Sequence, residues 1–110
     1  MNKLAPHQMD ILLVLAGGST HGYEIMKRID DLRGKPNSLG PAQLYTGLQK
    51  LLDLKLIHEV ASDDPRRRVY AISMTGRAAR DAYVAEQSQF LERARVINEG
   101  SNKGVELATG

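Results

Sequence analysis

The stretch from Gly40 to Ser73, GPAQLYTGLQKLLDLKLIHEVASDDPRRRVYAIS, decides how this chain folds. Its first half has helical spacing. Pro41 suits the first turn of a helix, where the N–H it lacks would be unpaired anyway. Leu44, Leu48, Leu51 and Leu52 recur at three- and four-residue intervals and form one inner stripe. At about 100° per residue, Ala42, Gln43, Thr46, Gln49, Lys50 and Asp53 fall on the opposite side. That outer face is polar, small and nearly uncharged at its N-terminal end. In the second half the period changes. His58 to Ser62 and Val69 to Ile72 have strand character, and Asp63-Asp64-Pro65 between them is turn chemistry. A helix followed directly by a β-hairpin is predicted.

Upstream, Met9 to Ala16 is almost wholly apolar until Gly17-Gly18 stops the run. Good helix formers favour helix here. Apolar residues then surround it, so a single core face cannot bury them, and a second subunit is expected to supply the extra cover. Ser19-Thr20 offers N-cap hydroxyls to a second helix with Glu24 in its first turn. Ile25, Met26, Ile29 and Leu32 form its buried stripe, Gly34 can close it in a left-handed conformation, and Pro36 prevents its resumption. Downstream, Ser73 can cap a last long helix from Met74 to Ile97, with Ala79, Ala82, Tyr83, Phe90, Ala94 and Ile97 along one stripe. Asn98 to Gly110 has no periodicity and reads as a disordered tail.

The expected fold is mainly α with a small β-hairpin, a winged helix-turn-helix plus a C-terminal dimerisation helix. Residues 1–73 form the winged domain, 74–97 the dimerisation helix and 98–110 the tail. In such a motif the later helix lies in the major groove and the hairpin follows the backbone. Gln43, Thr46, Gln49 and Lys50 can hydrogen-bond base edges, and Gln suits bidentate contact with adenine. Ala42 and Gly47 are small enough for close backbone approach. Arg66, Arg67 and Arg68 form the only basic triplet and can meet phosphate. The net charge of +2 says little by itself, because what matters is where the charge sits.

Four motifs in register carry a family resemblance: His21-Gly22-Tyr23-Glu24-Ile25, Gly40-Pro41-Ala42-Gln43-Leu44-Tyr45, Leu56-Ile57, and Arg66 to Ser73 followed by Gly76-Arg77. Together they resemble the PadR family of bacterial transcriptional regulators, over roughly residues 9 to 80, with the single C-terminal helix of its short branch. The resemblance implies a homodimer that binds double-stranded DNA and represses until a small apolar or aromatic effector releases it. It also implies DNA contacts from Tyr23, Tyr45 and the wing arginines. A homodimer interface is expected from Leu12, Leu15, Ala79, Tyr83, Phe90, Ala94 and Ile97. Where the family usually has Gly before Leu-Ile, this chain has Lys55, although a left-handed position would favour Gly. Tyr45, at the margin of the leucine stripe, is open to either core packing or phosphate contact, and so is Tyr23.

Other classes fit poorly. The chain has no Cys, which excludes disulfides and thiolate metal sites. His21 and His58 read as surface or hydrogen-bonded residues, and no His, Asp and Glu cluster has metal spacing. No nucleophile–base pair, phosphate loop or paired carboxylates mark an enzyme, and no cofactor is expected. No run reaches the ~18 apolar residues of a membrane span, and the N-terminus lacks an apolar signal core, so a cytoplasmic protein is expected. The competing reading is a winged-helix module used for protein–protein contact.

Overall fold

A computed structural model describes residues 4–109, with side chains through residue 100. The elements are α1 (Pro6–Leu15), β1 (Thr20–His21), α2 (Gly22–Arg33), α3 (Pro41–Asp53), β2 (Ile57–Val60), β3 (Val69–Ile72) and α4 (Met74–Thr109). One compact unit ends at Arg80 and a second begins at Asp81.

In the first unit α1 packs against α2, α3 and β3. Its residues Leu12 and Leu15 are 0% and 1% exposed and share a core with Ile11, Ile25, Ile29, Leu44, Leu48 and Leu51. This corrects the expectation that Leu12 and Leu15 belong to a dimer interface. A helix apolar on every side does need cover on two sides, but two other helices and a strand of its own chain provide it. Asp10, buried on the same helix, receives two hydrogen bonds from Arg33 at 2.8 and 2.6 Å, tying the end of α2 to α1.

The N-cap of α2 is also corrected. Thr20 is a strand residue, paired with Tyr70 of β3 and buried, so its hydroxyl is not the cap. His21 takes that place, its Nδ1 accepting from the Glu24 N–H at 3.4 Å. Two residues of β1 are too short to show a period, which is why the hairpin is one strand larger than predicted: a three-stranded antiparallel sheet of order β1-β3-β2. Strand β2 starts one residue earlier than expected and stops at Val60, pairing Ile57 with Ile72 and Val60 with Val69. Leu32 is exposed, because it lies in the last turn of α2 and outside the core cluster.

Both α2 and α3 end in the same closure. In α2 the Lys35 N–H donates to the Asp30 carbonyl and the Gly34 N–H to that of Asp31, with Gly34 at φ 71°. In α3 the Leu56 N–H donates to Leu51 and the Lys55 N–H to Leu52, with Lys55 at φ 60°. The backbone therefore keeps the left-handed turn that the family's glycine would favour, but with a side chain in it. Such a conformation costs an L-residue about 1–2 kcal/mol, partly offset by the freedom Gly adds to the unfolded chain. Lys55→Gly is expected to stabilise the fold by roughly 0.5–1 kcal/mol. An unchanged urea midpoint would show that the turn is unstrained.

Helix α4 begins as expected. The Ser73 Oγ accepts from the Gly76 N–H at 3.0 Å and donates to the Lys55 carbonyl at 2.8 Å, joining the helix start to the α3 exit. Residues Asn98, Glu99 and Gly100 are helical, so α4 does not stop at Ile97. The side chains of the remaining tail residues lie outside those described. In the second unit, Tyr83 and Ala94 are half-buried while Phe90 and Ile97 are exposed, as are Val84, Leu91 and Val96.

Candidate nucleic-acid interface

Helix α3 buries Leu44, Leu48 and Leu51 and exposes Ala42, Gln43, Tyr45, Thr46, Gln49 and Lys50. Tyr45 is 65% exposed and Tyr23 66%, so neither is a core residue. Gly47 is buried on the other side. A Cβ there would sit 2.8 Å from Ile11 Cδ1 and 3.4 Å from His7 Cδ2, so the missing side chain lets α3 approach α1 rather than an outside partner. Two polar side chains of the outer face are internally engaged. The Thr46 hydroxyl lies against the Ala42 and Gln43 carbonyls at 3.0 and 3.2 Å, and Gln49 Nε2 donates to Asp53 Oδ1 at 2.9 Å. Among the described residues, the Gln43 and Lys50 side chains make no such bond.

The wing connects β2 to β3 and is organised by Asp64. Its Oδ1 accepts from the Arg66 N–H at 3.0 Å and from Arg66 Nε at 3.2 Å, while Ser62 Oγ accepts from the Asp64 N–H at 3.2 Å. The hydrogen bond from the Arg66 side chain, then that from its backbone, holds the Asp64 carboxyl below its ordinary value of 3.8. The pairing is therefore complete above that value and is lost as pH falls through the lowered one. Arg67 places Nη1 3.3 Å from His21 Nε2, linking the wing to the start of α2. A neutral imidazole has one acceptor nitrogen, so His21 can accept from Glu24 or from Arg67 but not from both at once. Behind them Tyr70 is buried, and that burial, with Glu59 nearby, pushes its hydroxyl pKa up.

Segments distant in sequence meet in one surface recess of about 390 Å³. Its lining takes His21, Gly22 and Tyr23 from β1 and α2, Tyr45 and Leu48 from α3, and Arg66, Arg67, Arg68 and Tyr70 from the wing and β3. Of the residues that the sequence groups as DNA contacts, Tyr23, Tyr45 and the three arginines line this recess, whereas Ala42, Gln43, Thr46, Gln49 and Lys50 lie outside its lining. Tyr70 and His21 stand in the family motifs, but the sequence assigns Tyr70 no role beyond a strand and His21 none beyond a surface or hydrogen-bonded residue. Nothing in their local patterns marks them as recess residues, because strand pairing puts them there. Among the described residues, no group of three or more His, Cys, Asp and Glu side chains could hold a metal ion. Among the same described residues, no helix is long and apolar enough to cross a membrane.

No curated protein sequence matches this chain. Several solved structures share its fold. RosR from H. salinarum superposes with a TM-score of 0.68 at 24% identity, over 94% of this chain and 96% of that one. A transcriptional regulator from Clostridium thermocellum gives 0.62 at 25% identity, over 84% and 89% of the two chains. A PadR-like transcription factor from Bacteroides fragilis gives 0.69 at 17% identity, over 83% and 88%. The profile of the transcriptional regulator PadR-like family matches residues 11–82, from the second half of α1 through the wing to the start of α4. The chain belongs to the PadR-like family of transcriptional regulators.

Proposed function

We propose that the protein binds double-stranded DNA sequence-specifically through α3 and the wing, as a cytoplasmic homodimer that represses transcription until a small effector releases it. The observation that carries this reading is the convergence of Tyr45 from the exposed side of α3 with Tyr23 and three arginines around one recess. A helix of this kind fits the roughly 12 Å width of the major groove. Gln43 and Lys50 are the base readers of this surface, and Arg66 to Arg68 are its phosphate contacts. Exposed Tyr hydroxyls add neutral phosphate donors on either side. Repression and effector release rest on the family resemblance.

Fluorescence anisotropy with DNA from upstream of the protein's own coding region, against a scrambled duplex at two salt concentrations, tests the reading. Tight, selective and salt-dependent binding is expected. Equal, weak binding to both duplexes would pass the surface to a protein partner instead.

The dimer is assigned to α4 through Tyr83, Phe90, Ala94 and Ile97, since Phe90 and Ile97 expose large apolar side chains to solvent in the single chain, while Ala79 of the expected seam packs against the core of its own chain instead. Phe90→Asp would place a charge in that seam and is expected to yield a monomer by sedimentation. An unchanged dimer would remove Phe90 from the interface.

A further inference from the structure

The basic triplet sits in a segment whose formal charge is zero. From Glu59 to Arg68 the wing carries Arg66, Arg67 and Arg68 against Glu59, Asp63 and Asp64, three positive and three negative groups. The structure places the arginines on two of those carboxylates. Asp64 faces Arg66 at 3.2 Å and Arg67 at 4.0 Å, and Glu59 Oε1 lies 4.0 Å from Arg68 Nη1. These arginine side chains are 88%, 61% and 75% exposed, so the pairs are open to solvent and to any anion that arrives.

A guanidinium fork that binds a carboxylate binds phosphate with the same geometry. Glu59 acts on Arg68 through charge alone, at 4.0 Å, and the Asp64 carboxylate, hydrogen-bonded to the Arg66 fork at 3.2 and 3.3 Å, is a stand-in for a phosphate. A DNA backbone must displace it, and afterwards the carboxylate remains nearby as a like charge. The effect is blind to base sequence. It weighs most on non-specific binding, where phosphate contacts supply essentially all of the affinity. The α3 face, which would read bases, carries no part of it.

We propose that Asp64 and Glu59 are internal phosphate competitors that hold down the sequence-independent affinity of the wing for duplex DNA. This rests on the DNA-binding reading above. It makes the acidic half of the wing a determinant of specificity, whereas the sequence pointed only to the basic half.

The test is anisotropy of the full-length protein with a scrambled 20-base-pair duplex (a length of about two helical turns) across a salt series. Asp64→Asn removes the charge and keeps an Oδ1 acceptor for the Arg66 N–H, so the turn is retained. It is expected to bind on the order of 3- to 10-fold more tightly at low salt, with a log–log salt slope steeper by up to about 0.9. Glu59→Gln, on β2 and outside the turn, is expected to act in the same direction and keeps the test valid if Asp64→Asn loses stability. Asp63→Asn changes net charge equally, and a clearly smaller gain is expected from it. Unchanged or weaker binding by both Asp64→Asn and Glu59→Gln, with the wild type still binding, would overturn the competitor role alone. Gains of equal size from Asp63→Asn and Asp64→Asn would overturn it too, in favour of bulk charge. Absence of duplex binding by wild type and variants, even at low salt, would overturn the DNA-binding reading with it.

Discussion

Gly76→Ala is expected to destabilise the fold by more than about 3 kcal/mol, the range reached when a substitution forces backbone to move in a packed site. Gly76 lies in the first turn of α4, where that helix leaves the sheet. A Cβ there would sit 2.0 Å from the Leu56 carbonyl oxygen, 3.0 Å from its carbon and 2.7 Å from Ile72 Cγ1. The nearest obstacle is backbone, so no side chain can swing away to relieve it. Leu56 cannot retreat easily either, because its N–H closes α3 onto Leu51 and its carbonyl accepts from the Ser73 N–H at 3.0 Å. Relief would require opening the junction of α3, β2 and α4 together. A fall in melting temperature of roughly 10 °C or more is expected for a chain of this size. Gly100→Ala is the matched control, since its Cβ would meet nothing within 4 Å. There the helical preference for Ala should leave stability unchanged or slightly raised. If Gly76→Ala melted within ~2 °C of wild type, the close approach of α4 to Leu56 would be wrong.

The second large effect is on binding. Replacing Arg66, Arg67 and Arg68 together by Ala should weaken binding to every duplex, whatever its sequence. Up to three phosphate contacts would be lost, which flattens the log–log salt slope by up to about 2.7 and weakens binding by several hundredfold near 0.1 M salt. Internal pairing with Asp64 and Glu59 makes that an upper bound, since part of each arginine's charge is already neutralised. Gln43→Ala should behave differently. A lost bidentate contact costs about 1–3 kcal/mol at particular base pairs and leaves the salt slope unchanged. Fold effects should be small in both cases, because all four side chains are exposed. If both variants lost affinity equally for selective and scrambled duplexes, the division between a reading helix and a phosphate-holding wing would fail.

Local chemistry in the chain suffices for a good part of this molecule. The leucine spacing after Pro41, Gly34 at a helix end, the Asp-Asp-Pro turn and Ser73 at the start of α4 each act over a few residues, and their effects can be read over the same range. The outer face of α3 was legible for the same reason, since helical geometry alone puts Gln43, Thr46 and Lys50 on the side opposite the leucines, whereas the exposure of Tyr45 at the margin of that stripe was not. Other features depended on which surfaces met. Leu12 and Leu15 were assigned to a partner subunit because the sequence shows that α1 needs cover on several sides but not which chain provides it; α2, α3 and β3 do. Gly47 lies on a helix flank where α1 happens to pack, and β1 is a strand only because β3 lies beside it. The pairing of Asp64 with Arg66 and Arg67, and of Glu59 with Arg68, likewise required the folded turn, since neighbours in sequence share a salt bridge only when the backbone aims them at each other. Periodicity and capping are properties of a few consecutive residues. Burial, close approach and charge pairing belong to contacts between segments that the chain brings together only on folding.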